Sequence, residues 1–259
     1  MPAWSLPLVV YGGAVVLLTA LYLLQLWTRD AGIVDAGWSG GIGLAVLFYG
    51  VASDASLVSR LAVMAIAVPW SARLAWYLIT DRVLHGEEDA RYASLREGWG
   101  DAAPRKFFLV FQMNAALVAA FSLPAWFVLQ AGDRPPWLLA AGVALGWLAM
   151  AGESLADAQL KRWRADAANR GKTCRAGLWR YSRHPNYFFE WLHWWAYVLL
   201  CAGTWWMLTA LGGPALMLLF LYRVTGIPYT ERQALKSRGD DYREYQRTTS
   251  PFVPWPPRG

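Results

Sequence analysis

The sequence is poor in the residues that soluble enzymes and metal centres use most. Its 259 residues include two cysteines and three histidines. One cysteine lies in a basic loop and the other in an apolar run, so no disulfide framework is indicated. Three histidines are too few for a His-rich desaturase, and Glu190-x-x-His193 has no second copy to complete a di-iron pair. We therefore expect no metal site.

Two further absences narrow the class of protein to which the chain can belong. The chain has no Gly-rich dinucleotide loop, which argues against a soluble dehydrogenase with a Rossmann sheet. It also has no internal repeat, which is the usual mark of transporters. The basic segments contain no recognisable nucleic-acid module, so we expect no nucleic-acid partner.

Charge is scarce, and its distribution decides the fold class. Only 16% of residues are charged and 56% are hydrophobic. A helix needs roughly 20 apolar residues to cross a bilayer core. Six apolar runs reach or approach this length: Leu6–Trp27, Ala36–Ala52, Leu61–Thr80, Phe107–Gln130, Trp137–Gly152 and Trp191–Tyr222. If the last run is split near Gly203-Thr204, the sequence predicts an all-α polytopic membrane protein with about seven transmembrane helices, forming a single membrane domain over residues 1–259.

Positive charge alternates between the loops. Five Lys/Arg lie in Asp81–Lys106, eight in Glu153–Arg183 and seven from Arg223 onward, whereas the intervening connections contain only Arg60 and Arg134. Lys and Arg concentrate on the cytoplasmic side of membrane proteins. We expect the N-terminus outside, the C-terminus in the cytoplasm, and attraction to anionic membrane lipids.

A polar stripe marks the sixth predicted crossing. Pro185 is well placed for the first turn of a helix. Asn186, Glu190, His193 and Tyr197 then follow at i, i+4, i+7 and i+11, on one face. Ionisable groups inside a membrane segment usually face a cavity or a partner, which favours a functional site, although a buried network that only fixes helix packing would show the same spacing.

Basic side chains precede this stripe. Arg175, Arg180, Arg183 and His184 surround the start of the helix, where guanidinium groups pair well with phosphate or carboxylate. Charge that only sets topology is the alternative for any single arginine. The combination predicts an amphiphilic ligand with an anionic part in the loops and a reactive end among the helices.

The fifth crossing continues into a second polar segment. Glu153, Asp157 and Lys161 fall at i, i+4 and i+8 of an amphipathic extension. Asp157 and Lys161 match the spacing of a simple ion pair. Glu153 directly follows a long apolar run and is a stronger candidate for a site.

These segments resemble a known family. The run "GLWRYSRHPNYFFEW" (177–191) is similar to the C-terminal signature of steroid 5-alpha-reductase-like integral membrane proteins, in a bacterial branch related to sterol reductases and isoprenylcysteine carboxyl methyltransferases. Further pieces that fit are "DAGW" from Asp35, "GEEDARY" from Gly86, "ESLADAQL" from Glu153 and the tail "SRGDDYREYQRTTSPFVPWPP". The resemblance therefore extends over most of the chain.

The resemblance implies a helical bundle that opens to the cytoplasm, holds NADPH and transfers a hydride to an activated carbon–carbon double bond of a lipophilic substrate taken from the bilayer. It places Asn186 and Glu190 at the nicotinamide end, and Asp157, Arg164 and Tyr181 along the adenosine and phosphate part. The remaining residues of the expected cofactor site are Glu153, Arg175, Arg183, His184, Tyr187, Glu231 and Tyr242. The expected location is a bacterial inner membrane, with the cofactor site facing the cytoplasm.

The proton donor and the substrate are less well defined. Steroid reductases carry a Gln-Glu pair early in the second crossing, whereas this chain has Asp35 as the only acid there. We take Asp35, Tyr77 and Tyr92 as candidate catalytic acids and leave the substrate open. Asp35 also suits a helix cap.

Two other functions remain as alternatives. An S-adenosylmethionine-dependent methyltransferase of the isoprenylcysteine type shares Arg183, His184, Pro185 and Tyr187, but its paired glutamates are replaced here by Thr230 and Glu231. A lipid-binding bundle without catalysis is also compatible with the sequence. The oligomeric state is not indicated.

Overall fold

A computed structural model describes residues 3–80, 84, 88–224 and 226–258 of the chain. Every regular element within these ranges is helical, which confirms the all-α prediction. The α-helices are α1 (Leu6–Thr28), α2 (Ile33–Ala52), α3 (Leu57–Leu78), α4 (Ala90–Trp99), α5 (Ala103–Gln130), α6 (Pro136–Ala165), α7 (Pro185–Leu200), α8 (Trp206–Ala210), α9 (Gly212–Leu219), α10 (Ile227–Arg238) and α11 (Asp240–Thr248).

Length and composition make this an integral membrane protein. Six helical segments are long and apolar enough to cross a bilayer: Leu6–Thr28, Ile33–Ala52, Leu57–Leu78, Ala90–Gln130, Pro136–Ala165 and Trp206–Arg238. The last of these segments contains residue 225, which lies outside the described part of the chain. The sixth predicted crossing corresponds to α7, which has 16 residues. At 1.5 Å per residue it extends about 24 Å, less than the roughly 30 Å hydrocarbon core. The orientation of the termini stays a prediction.

The last apolar run is divided where the sequence predicts. The chain leaves helical geometry after Leu200 and re-enters it at Trp206. Between them Gly203 has a φ of +79°, a left-handed conformation that glycine adopts at little cost. The Thr204 hydroxyl donates to the Cys201 carbonyl at 2.7 Å and closes the turn. The split near Gly203-Thr204 is therefore confirmed.

The chain is divided by its packing into two compact units. Unit 1 contains residues 1–139 and 200–210, and unit 2 contains residues 140–199 and 211–259. Helices α1 to α5 and α8 therefore lie in unit 1, and α7, α9, α10, α11 and most of α6 lie in unit 2. The expectation of a single membrane domain stays a prediction.

Small residues allow the helices of unit 1 to pack closely around α2. A Cβ atom added to Gly41 would lie 2.9 Å from Val118 of α5. Gly43 faces Ser71 of α3, whose hydroxyl accepts a hydrogen bond from the Gly43 amide at 2.9 Å. In membrane bundles small residues allow such close approach and supply van der Waals contact. The run "GWSGGIG" is thereby explained as a packing surface.

Unit 2 ends in a segment that folds back. We name residues 249–258 the C-terminal arm. Phe252 of the arm is buried and its ring lies 5.8 Å from that of Phe188 in the first turn of α7. The Trp255 amide donates to the Tyr181 carbonyl at 2.9 Å. The arm is therefore fixed against the residues that lead into α7.

Candidate functional site

The seam between α6 and α7 contains the first group of candidate site residues. α7 begins at Pro185, as the sequence predicts. Asn186 in its first turn donates through Nδ2 to Asp157 Oδ1 of α6 at 3.1 Å. Because an ionised carboxylate only accepts hydrogen bonds, the orientation of the amide is determined by chemistry. Its carbonyl oxygen, Asn186 Oδ1, is buried and has no hydrogen-bond partner within the described residues.

Two more carboxylates lie deeper along the same seam. Glu153 precedes Asp157 by one turn, and Glu190 follows Asn186 by one turn, so each pair shares a helix face. Asn186 contacts Asp157, and three positions further along α7 Phe189 contacts Gly152, five positions earlier on α6. The two helices therefore run in opposite directions here, which places Glu153 and Glu190 at a similar level. Glu153 is buried and Glu190 is half-buried. The structure therefore brings together four residues of the expected cofactor site: Asn186 and Glu190, predicted for the nicotinamide end, Asp157, predicted for the adenosine and phosphate part, and Glu153.

Close backbone packing fixes this seam. Gly152 of α6 lies directly against the Phe189 ring, and an added Cβ atom would overlap it. One turn later, the Trp179 indole donates from Nε1 to the Ala156 carbonyl at 2.9 Å. The loop before α7 is thus attached to α6, and the polar side chains that it carries have defined positions.

A charged network lies at the start of α7. Arg183 Nε donates to Glu231 Oε1 of α10 at 2.6 Å, and the two side chains are 10% and 15% exposed. His184 Nε2 lies 3.3 Å from the same oxygen. Gln246 Nε2 donates to the other oxygen, Glu231 Oε2, at 2.9 Å. Glu231 of α10 therefore joins the two residues that precede α7 to α11.

The same network determines the protonation of His184. Burial lowers the pKa of His184, and the Glu231 carboxylate offsets this only in part. Its ring stacks on that of Tyr187 with 5.4 Å between centroids and 6° between planes. The Tyr187 hydroxyl is 3.3 Å from that of Thr230. The sequence predicts these residues as cofactor ligands, and the structure shows that they also bind one another.

Arg183 has further contacts with the end of the chain. Its NH1 donates to the carbonyl oxygens of Gln246 and Thr249 at 2.9 and 2.8 Å. Tyr245 of α11 donates through its hydroxyl to the carbonyls of Trp179 and Ser182. No periodicity in the sequence indicates these contacts, because they join residues more than 60 positions apart. Sequence reasoning missed Gln246 and Tyr245 for this reason.

A second ion pair ties the loop before α7 to α11. Arg175 donates to Asp241 Oδ1 at 3.0 Å, and the Thr173 amide donates to Asp241 Oδ2 at 2.7 Å. Burial would raise the pKa of Asp241, but hydrogen bonding from Thr173 and the charge of Arg175 outweigh it and hold that pKa below its usual value. Asp241 was not predicted. Its neighbour Tyr242 was predicted as a cofactor ligand. Tyr242 is buried against Tyr245, with ring centroids 5.8 Å apart.

A cationic cavity of about 240 Å³ lies at the end of α6. Four cationic side chains line it: Arg164, Arg170, Lys172 and Arg238. Trp163 also lines it, and its buried indole Nε1–H has no hydrogen-bond partner within the described part of the chain. Guanidinium, ammonium and indole donors suit a phosphate group. Tyr181, also predicted along the cofactor, is 41% exposed.

The candidate acids lie in unit 1. The Tyr92 hydroxyl donates to Asp35 Oδ1 at 2.7 Å, and Arg91 NH2 donates to Asp35 Oδ2 at 2.8 Å. Asp35 thus connects the first turn of α2 to α4. Tyr77 is half-buried near the end of α3. The structure therefore brings two of the three candidates into direct contact.

Acidic residues of the "GEEDARY" segment hold the turn between α1 and α2. Glu88 accepts from the Ala31 amide at 2.9 Å and from Arg96 at 2.7 Å. Gly86 and Glu87, together with His85, lie outside the described residues. Among the residues that are described, no three His, Cys, Asp or Glu side chains could hold a metal ion. The expectation of no metal site stays a prediction.

Comparison with known proteins gives one partial relative. The methanethiol S-methyltransferase of Mycobacterium tuberculosis (strain ATCC 25618 / H37Rv) is 35% identical over 81 residues. The match covers 31% of this chain and 30% of that protein, so it spans less than a third of the relative's length.

Comparison with protein families gives a match over most of the chain. The family described as "Protein of unknown function (DUF1295)" matches residues 21–249. This range contains the seam between α6 and α7, the Arg183–Glu231 network and all the candidate acids. The helical membrane architecture and these polar clusters are therefore features of the matched region, and the protein belongs to the DUF1295 family.

Proposed function

We propose that the protein is a membrane reductase that binds NADPH in unit 2 and transfers its hydride to an activated carbon–carbon double bond of a lipophilic, steroid-like or other lipidic substrate. The Asn186 amide carries this proposal. Asp157 accepts a hydrogen bond from the Asn186 N–H and so fixes the orientation of the amide, which leaves Asn186 Oδ1 as a buried acceptor. The carboxamide of nicotinamide offers an N–H donor that would satisfy it.

The cationic cavity supports the phosphate end of the same ligand. Arg164, Lys172 and the Trp163 indole line one space at the end of α6. Since α6 also carries Asp157, less than two turns earlier, one helix presents donors for phosphate and the partner of the amide. NADPH contains both phosphate groups and a carboxamide, so it could use both sets of groups.

The cofactor would supply the hydride, and the protein's own side chains would orient the nicotinamide ring and protonate the substrate. The Asn186 and Glu190 side chains would hold the nicotinamide ring in a segment poor in water. The Tyr92 hydroxyl, held by Asp35, is the proposed acid, with Tyr77 as the alternative. Tyr92 holds its proton toward a carboxylate in this structure. Proton donation would therefore require that hydrogen bond to be redirected toward the substrate.

Methyl transfer from S-adenosylmethionine is the second candidate function, because the partial relative is a methyltransferase. The corner of Arg183, His184 and Glu231 would then contact that cofactor. All three groups already bind one another, which leaves less capacity for a ligand than the open acceptor of Asn186 has. This difference favours the reductase.

Ligand binding to the detergent-purified chain tests the proposal. Thermal shifts and calorimetric titrations with NADPH, NADH and S-adenosylmethionine should show binding of NADPH, and Asn186→Leu should weaken it about tenfold, the value of one good hydrogen bond. Asn114→Leu is the matched control, since its amide donates to the Val110 carbonyl of the same helix, α5. Binding of S-adenosylmethionine alone would reassign the protein to methyl transfer. If none of the three ligands binds, a lipid-binding bundle without catalysis would be favoured.

Localisation forms part of the proposal. We propose a bacterial inner membrane, as the resemblance implies, with the cofactor site facing the cytoplasm. The concentration of Lys and Arg in alternate loops supports this orientation. A reporter fused after Arg258 should be cytoplasmic. A periplasmic signal would contradict the predicted orientation.

A further inference from the structure

A second basic cavity lies beside the C-terminal arm. Its volume is about 180 Å³, equivalent to roughly six water molecules. The last turn of α11, the arm and Arg183 enclose it. Its described lining contains three arginines, Arg183, Arg247 and Arg258, and no acidic side chain. It lies apart from the cavity at the end of α6, with which it shares no lining residue.

The three arginines differ in how far their charge is balanced. Arg183 is paired with Glu231 in a mostly buried contact. Arg247 contacts Glu244 one turn earlier, but both side chains are largely exposed, at 75% and 46%, where pairing is weak. Arg258 makes no ion pair with any described residue. The cavity therefore keeps positive charge, and Ser250, whose hydroxyl is a possible donor, also lines it.

The position of the arm indicates a membrane surface. Phe252 packs against Trp191 and Tyr222, with ring centroids 5.6 Å away in each case. These contacts fix the arm at the start of α7, where the chain enters its apolar segment. Beside the cavity, Trp255 is 67% exposed and Val253 is 52% exposed. Tryptophan is enriched at membrane–water interfaces, where its ring lies among the lipid headgroups.

We propose that this cavity binds the phosphate headgroup of an anionic phospholipid. The arginines and Ser250 would bind the phosphate oxygens, and Trp255 with Val253 would contact the glycerol and upper acyl chain. A soluble phosphate compound would account for the arginines but not for the exposed apolar residues beside them. The cavity shares Arg183 with the expected cofactor site. Arg247, Arg258 and Trp255 do not belong to that site, so variants at these positions test this inference separately from the proposed reductase activity.

Native mass spectrometry of the full chain in detergent tests the proposal, with phosphatidylglycerol and phosphatidylcholine as probes. We expect phosphatidylglycerol to bind more tightly. Each arginine removed from the cavity should weaken binding of the anionic headgroup about fivefold. The double variant Arg247→Gln/Arg258→Gln should therefore bind phosphatidylglycerol about 25-fold more weakly than the wild type.

Arg243→Gln is the matched control. Arg243 lies on α11 and pairs with Asp240 at i, i+3, as Arg247 pairs with Glu244, but it does not line the cavity. Its lipid affinity should stay within twofold of the wild type. Equal binding of the two lipids, or an equal loss in Arg243→Gln, would show only diffuse surface charge and overturn the proposal. Binding of glycerol 3-phosphate as tight as that of the lipid would assign the cavity to a soluble phosphate and overturn the lipid assignment.

Discussion

Replacing Glu231 with glutamine tests whether the network at the start of α7 holds unit 2 together. The carboxylate accepts hydrogen bonds from Arg183 at 2.6 Å and from Gln246 at 2.9 Å, with His184 3.3 Å away. Glutamine keeps the shape but removes the charge and turns one acceptor into a donor. That donor would face other donors, so at least one of these contacts would be lost.

The size of the effect follows from burial. Removing one partner of a buried ion pair costs about 3–5 kcal/mol, because the other charge is left without compensation. The Arg183 side chain is 10% exposed, and it retains carbonyl partners in Gln246 and Thr249. We therefore expect a smaller loss, about 2–3 kcal/mol. A chain of this size should show a decrease in Tm of roughly 5–10 °C.

Intrinsic tryptophan fluorescence of the ligand-free protein in detergent measures this change directly. Glu244→Gln is the control: it breaks an ion pair with Arg247 that is largely exposed, so its Tm should fall by no more than about 3 °C. Equal decreases in the two variants would refute the structural importance of the network. A large decrease without ligand would also separate the role of Glu231 in folding from its predicted role in cofactor binding.

Three further predictions concern other parts of the molecule. Tyr92→Phe removes a hydrogen bond to the Asp35 carboxylate and should lower the free energy of unfolding, measured by chemical denaturation, by about 1.5–3 kcal/mol. The control Tyr22→Phe loses a longer hydrogen bond to a carbonyl and should lower it by about 1 kcal/mol or less. A larger loss in Tyr22→Phe would contradict the geometry. Gly152→Ala forces the α7 ring aside and should cost roughly 1–3 kcal/mol, while Gly13→Ala, with no atom within 4 Å of the added methyl, should be neutral or slightly stabilising. The folded-state pKa of His184 lies below 6.5, so the unfolded chain binds more protons in the range below pH 6.5 and the free energy of unfolding should fall as pH falls through it. His184→Gln should flatten that dependence in a Tm series from pH 7 to pH 5.

Apolar runs predicted the membrane helices because length and hydropathy are local properties. The run Leu6–Trp27 became α1 (Leu6–Thr28), and Phe107–Gln130 became the larger part of α5. The amphipathic extension after Glu153 continues α6 to Ala165, as its spacing predicts. Helical spacing also places His193 and Tyr197 on one face, and their side chains are 3.2 Å apart.

Contacts between distant segments were not predictable from spacing. Nothing in the local sequence pairs Glu231 with Arg183, 48 positions away, or Asn186 with Asp157, 29 positions away. The resemblance placed these residues in one cofactor site, whereas the structure adds how they hold each other. Whether they also bind NADPH stays a prediction.

The return of the C-terminal arm to the start of α7 has a consequence for biogenesis. The contacts of Tyr245 and Phe252 with Trp179 and Ser182 close loops of 63 to 70 residues that include α7, α9 and α10. Such long-range closure is slow, because the entropy of the loop is lost before the contacts form. Arg183 gains its Glu231 partner only after the following 48 residues have been made, and its contact with Thr249 only after 66. Damage to the arm should therefore leave unit 2 incompletely packed and lower the amount of protein in the cell.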